Sequence, residues 1–116
     1  MGLKYTLTLI LPFGPLGGEV EKDPTKVQYT LLSQEALIKY ANDNGASTSY
    51  NVLQVTRVTE QVVSGTVYRI DFFGVPTNCY KVVTGGCSVI SCHAEILDVP
   101  WLKKRDIKTK CTPLAL

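Results

Sequence analysis

The sequence predicts an α+β fold in which one α-helix is cradled by an antiparallel β-sheet of four to five strands. Three observations lead there. Apolar residues recur at helical spacing from Thr25 to about Asn42, the period changes to two from Tyr50 onward, and all four cysteines lie beyond residue 78. With 116 residues, 45% of them hydrophobic and 19% charged, the chain has the composition of a single domain with one core. Residues 16–116 form that domain, and residues 1–15 read as a signal remnant or an apolar N-terminal arm, because Lys4 precedes the apolar run Tyr5 to Phe13.

The helix is expected to begin at Asp23-Pro24, with Asp23 as cap and Pro24 in the first turn. Gln28, Glu35 and Lys39 mark a narrow polar stripe. Val27, Tyr29, Leu31, Leu32, Ala36, Leu37, Ile38 and Tyr40 fill a broad apolar face suited to contact with a sheet. Asn44-Gly45 should end it. A short strand is expected near Glu19 to Glu21, a long one over Tyr50 to Gln61, and another over Thr66 to Phe73, where Tyr68, Ile70 and Phe72 alternate with Arg69 and Asp71. Gly74 to Gly86 reads as a loop. Cys87 to Leu97 has the alternation of a sheet with one solvated face, Asp98 to Leu102 is a turn, and Arg105 to Thr112 is the last strand.

Four cysteines in a short chain read as a disulfide framework made in an oxidising compartment, which points to a secreted, extracellular protein. Three pairings are open. Cys79 with Cys87 and Cys92 with Cys111 is favoured because each closes a local loop. Close Cys pairs of the zinc-site type are absent, and His93 would point away from Cys92 on a strand, so no metal and no cofactor are expected. His93 is also the only histidine available as a base, which argues against an enzyme. A net charge of +2 is too mild for a nucleic-acid footprint, and no segment is suited to membrane insertion. Five basic residues cluster at Lys103, Lys104, Arg105, Lys108 and Lys110. They read as an edge strand protected by charge, or alternatively as a surface for anions or glycans.

The turns are the unusual part. Gln61-Val62-Val63-Ser64-Gly65 joins two strands without a charge, and Pro100-Trp101 places the only tryptophan in a loop. Ordinary turns favour Asn, Asp, Gly and Pro. A rigid aromatic exposed in a loop is typical of an interface anchor. In a meander these two connections, together with Gly17-Gly18 before the first strand, come to the same end of the sheet.

At these residues the chain resembles the secreted, two-disulfide cystatins. Leu16-Gly17-Gly18, Gln61 to Gly65 in the family's Gln-x-Val-x-Gly pattern, Pro100-Trp101 and two cysteine pairs follow in the family's order. The resemblance implies reversible, tight-binding inhibition of papain-like cysteine proteases, cathepsin L types foremost. Leu16, Gly17 and Gly18 would enter the non-primed side of the cleft, and Gln61, Val62, Val63, Ser64, Gly65, Pro100 and Trp101 the primed side. It also implies a monomer that can exchange its helix and flanking strands through the first hairpin. Family members that inhibit legumain carry Ser-Asn-Asp after the helix, whereas this chain has Asn42-Asp43-Asn44-Gly45-Ala46, so no second inhibitory site is assigned. The alternative is a non-inhibitory binding module that uses its basic C-terminal strand.

Overall fold

The computed structural model describes residues 18–45, 48–79 and 88–114. In chain order its elements are β1 (Val20–Lys22), α1 (Val27–Asp43), β2 (Tyr50–Val63), β3 (Gly65–Pro76), β4 (Ile90–Val99), a 3-10 turn (Pro100–Leu102) and β5 (Lys104–Pro113). The strands form one antiparallel sheet in the order β1-β2-β3-β4-β5. Register shifts between Val52 and Gln54 and between Val55 and Arg57 interrupt β2, and bulges of this kind bend a strand.

The core lies between α1 and the sheet face that it covers. Leu37, Val58, Ile70, Phe72 and Ile96 are fully buried there, with Tyr29, Ala36, Cys92 and Ala94 around them. Burying each of the larger side chains stabilises the fold by about 1.5–3 kcal/mol. In β4 the alternation is as the sequence predicts: Ile90, Cys92, Ala94 and Ile96 face inward and His93 is exposed. Cys92 and Cys111 are register partners on β4 and β5 and form a disulfide, the pairing expected for them. Cys87 lies outside the described residues, and so does the expected Cys79–Cys87 pairing.

Several expectations need correction. The helix starts at Val27 with Lys26 as an uncapped N-cap, not at Asp23-Pro24. The Asp23 carboxylate instead accepts hydrogen bonds from the Thr25 N–H at 3.0 Å and its hydroxyl at 2.7 Å. A local turn wins because Thr25 offers two donors close by. These bonds also hold the exposed Asp23 carboxyl below its ordinary pKa. At the other end Gly45 takes the left-handed conformation, but Asn44 does not.

The apolar face of α1 is narrower than predicted. Tyr29, Ser33, Ala36, Leu37 and Ala41 are buried, whereas Val27, Leu31 and Ile38 are exposed. A single sheet covers only one side of the helix. Strand β3 also runs through Gly74 to Pro76, where a loop is predicted. A Cβ on Gly74 would sit 3.1 Å from Leu37 Cδ1, so this glycine makes room for the helix rather than breaking the strand. One polar side chain closes an open edge: Gln34 on α1 donates to the Tyr50 carbonyl and accepts from the Val52 N–H, both at 2.9 Å. Strand β1 does not reach that part of β2.

Candidate functional site

Strand β2 leads directly into β3. Register pairs run to Val62↔Thr66 and Val63↔Gly65, leaving Ser64 alone outside the ladder. Gln61 to Gly65 is thus the paired end of a hairpin rather than a loop of five residues. Gly65 is what allows this. Its φ of +120° is closed to other residues at ordinary cost. A Cβ there would also fall 2.6 Å from the Asp98 carbonyl oxygen and 3.0 Å from Val99 Cγ2. The first hairpin therefore lies directly against the base of the second.

The second connection is equally tight. Val99↔Lys104 is the last pair of β4 and β5, Pro100–Leu102 makes the 3-10 turn, and Lys103 closes it with φ 49°, its N–H donating to the Pro100 carbonyl at 2.9 Å. With no room for the side chains inside, they point outward. Val62, Trp101 and Leu102 are 65%, 68% and 65% exposed, among the most exposed large apolar residues of those described. Leu102 was not singled out in the sequence, although an apolar residue following Trp101 in a turn was the signal available. From Gln61 to Tyr68 and from Val99 to Leu102 there is no charged residue.

The hairpin roots are anchored to the body. The Tyr29 phenol, buried on α1, donates to the carboxylate of Glu60, which immediately precedes Gln61. Burial first, and then the proton needed for that bond, raise the Tyr29 pKa above the ordinary 10.0. Arg105, paired in register with Asp98, donates to Asp98 Oδ1 at 3.2 Å and to Glu35 Oε1 of α1 at 2.5 Å. Burial works against the guanidinium charge, but these bonds outweigh it and raise the Arg105 pKa. Asp98 thereby touches both hairpins: its carboxylate holds the second, and its carbonyl meets Gly65.

Gly18, the first described residue, is two positions before β1, where Val20 pairs with Glu60. It comes to the same end of the sheet as both hairpins, and nothing lies within 4 Å of the position of its missing Cβ. Leu16 and Gly17 fall outside the described residues. The geometry thus brings Gly18, Gln61, Val62, Val63, Ser64, Gly65, Pro100 and Trp101 to one tip. Of the basic cluster, Lys103 closes the second turn and Lys104, Arg105, Lys108 and Lys110 lie on the edge strand β5, where ion pairs to Asp106, Asp98 and Glu35 engage Lys104 and Arg105. Among the described residues no group of His, Cys, Asp and Glu is arranged to hold a metal, and no helix is long and apolar enough to cross a membrane.

The sequence profile of the Cystatin domain matches residues 17–110. The chain belongs to the cystatin family. Cystatins are protease inhibitors rather than enzymes. Human kininogen-1 is 31% identical over 90 residues, which cover 69% of this cystatin but only 14% of kininogen-1. Two solved structures show the same fold. Dimeric human cystatin F superposes with a TM-score of 0.72 at 18% identity, covering 87% of this chain and 90% of its own. A salivary cystatin from the soft tick Ornithodoros moubata gives a TM-score of 0.68 at 24% identity, covering 83% and 97%.

Proposed function

We propose that this cystatin is a reversible, tight-binding inhibitor of papain-like cysteine proteases, cathepsin L types foremost, acting outside the cell. The observation that carries this reading is the tip itself: two hairpins in contact at Gly65 and Asp98 present Val62, Trp101 and Leu102 to solvent from uncharged segments, Gln61 to Tyr68 and Val99 to Leu102. Such a wedge enters an apolar cleft without charges to desolvate, and its sheet-held turns lose little entropy on docking. In this reading Leu16 and Gly17 line the non-primed side of the cleft, with Gly17 turning the chain away before a bond can be cut. Gln61 to Gly65 and Pro100-Trp101 fill the primed side. The inhibitory form is the monomer, because exchange through the first hairpin would pull Val63 and Gly65 apart. The disulfide of Cys92 with Cys111 supports an extracellular setting.

The test is titration of the oxidised protein against active-site-counted papain and a cathepsin L-type enzyme, beside a Val62→Glu, Trp101→Ala variant. Both positions are exposed, so the variant keeps its fold. Stoichiometric inhibition that the variant loses is the expected outcome; no inhibition by the folded parent protein overturns the proposal.

A further inference from the structure

The face of the sheet away from α1 carries an ion-pair network that ends at the tip. Arg69 on β3 points to this face, because its neighbour Ile70 is fully buried on the other. Its Nη1 donates to Glu19 Oε2 at 2.5 Å and to Gln61 Oε1 at 3.1 Å, and its Nε donates to Glu95 Oε2 at 3.0 Å. Glu19 is the residue after Gly18, and Gln61 is the root of the first hairpin. One guanidinium therefore connects the point where the N-terminal segment leaves the sheet to the hairpin beside it. Only arginine has donors spread widely enough for three acceptors in different directions.

A second observation agrees with a bridge across the sheet here, where the Arg57–Glu21 ion pair is a further neighbour. Thr59 of β2 stands in register between Glu21 and Arg69 on the face away from α1, yet it is 4% exposed and its hydroxyl has no partner. A small side chain on an outward face is buried only when longer ones lie over it. To reach from β3 to Glu19, Arg69 must cross β2 where Thr59 and Gln61 stand.

We infer that Arg69 is a positioning residue for the N-terminal segment, fixing through Glu19 the direction in which the chain leaves the sheet at Gly18 relative to Gln61 to Gly65. This inference rests on the inhibitor reading above and deepens it. Gly18 and Glu19 are thereby held before an enzyme is met, so less ordering of this exit point remains to be done on binding.

The test is a double-mutant cycle: Arg69→Gln, deletion of residues 1–17, and both together, with inhibition constants measured against papain at low and high salt. In the full chain Arg69→Gln weakens inhibition about three- to fivefold, as suits half-exposed ion pairs, and the loss shrinks at high salt. In the truncated protein the same substitution has a much smaller effect, because only its contact with Gln61 remains to be lost. Equal losses in both backgrounds would overturn the inference while leaving the inhibitor reading intact. Backbone 15N relaxation gives a readout that needs no protease: Arg69→Gln increases fast motion at Gly18 and Glu19. Unchanged order there overturns the tether even if the parent protein inhibits nothing, and increased motion with no inhibition by the parent overturns only the inhibitor reading.

Discussion

Replacing Gly65 with alanine tests the contact between the hairpins most directly. Two costs arise from one methyl group. The φ of +120° is a region in which a side chain costs about 1–3 kcal/mol. The new Cβ, placed 2.6 Å from the Asp98 carbonyl oxygen and 3.0 Å from Val99 Cγ2, must push backbone aside, which costs about 1–3 kcal/mol more. The joint loss of about 2–6 kcal/mol is a large part of the roughly 5–15 kcal/mol that stabilises a domain. In urea, with a mid-range slope of about 2 kcal/mol/M, the unfolding midpoint should fall by about 1–3 M.

Gly18→Ala is the matched control. Nothing lies within 4 Å of that Cβ position, so its stability should change by less than about 0.5 kcal/mol. Parallel urea melts with titration against papain read both effects. Gly65→Ala should also lose inhibition at least tenfold, since the two turns can no longer meet. A Gly65→Ala midpoint equal to that of the parent would refute the contact with Asp98, whatever happened to inhibition.

Other outcomes are expected. Trp101→Ala, at an exposed site, should leave stability within about 0.5 kcal/mol but weaken inhibition by about 2 kcal/mol, separable by melts and inhibition constants. Replacing Cys92 and Cys111 with serine should cost about 3 kcal/mol by opening a loop with a sequence separation of 19, read by urea unfolding. Alkaline pH should destabilise the protein. The pKa of Tyr29 is raised by burial and then by its bond to Glu60, and that of Tyr68 by burial. A raised folded-state value means that the unfolded chain loses the proton first. The stabilisation is complete below the ordinary tyrosine value of 10.0 and fades as pH rises past it toward the folded values. Tyr29→Phe should flatten that decline in a series of melts.

What the sequence made legible was what a strand or turn declares locally. The alternation from Ile90 to Ile96 placed Cys92 inward, and register with β5 then joined it to Cys111. The uncharged turns marked the tip. What it left illegible depends on a partner element. Which side of α1 meets the sheet is a tertiary choice, so Val27, Leu31 and Ile38 looked like core and are exposed. Gly74 looked like a loop residue because its purpose lies on Leu37 of another element. Arg69 looked like an ordinary outward residue of an alternating strand, since its partners Glu19 and Glu95 are brought to it only by the sheet order.

The exposed tip also sets a limit on how tightly two hairpins can hold an enzyme. Burying a valine or leucine completely contributes about 1.5–3 kcal/mol, and a tryptophan about 4–6 kcal/mol from its 150–250 Å². Val62, Leu102 and Trp101 each have about two thirds of that still to gain, since they are 65%, 65% and 68% exposed. Together they can return about 5–8 kcal/mol. Association itself costs at least about 4 kcal/mol, and a micromolar complex already requires a net 8 kcal/mol. Three apolar side chains cannot reach nanomolar binding unaided. The tight inhibition proposed here must draw the rest from other contacts, and the first to test is the N-terminal segment that leaves the sheet at Gly18, beside the Glu19–Arg69 ion pair. Deleting residues 1–17 should carry the complex with papain from nanomolar to micromolar or weaker, a loss of at least about a thousandfold, read by inhibition constants. Retained nanomolar inhibition by the truncated protein would mean that the hairpins bury much more than these three side chains.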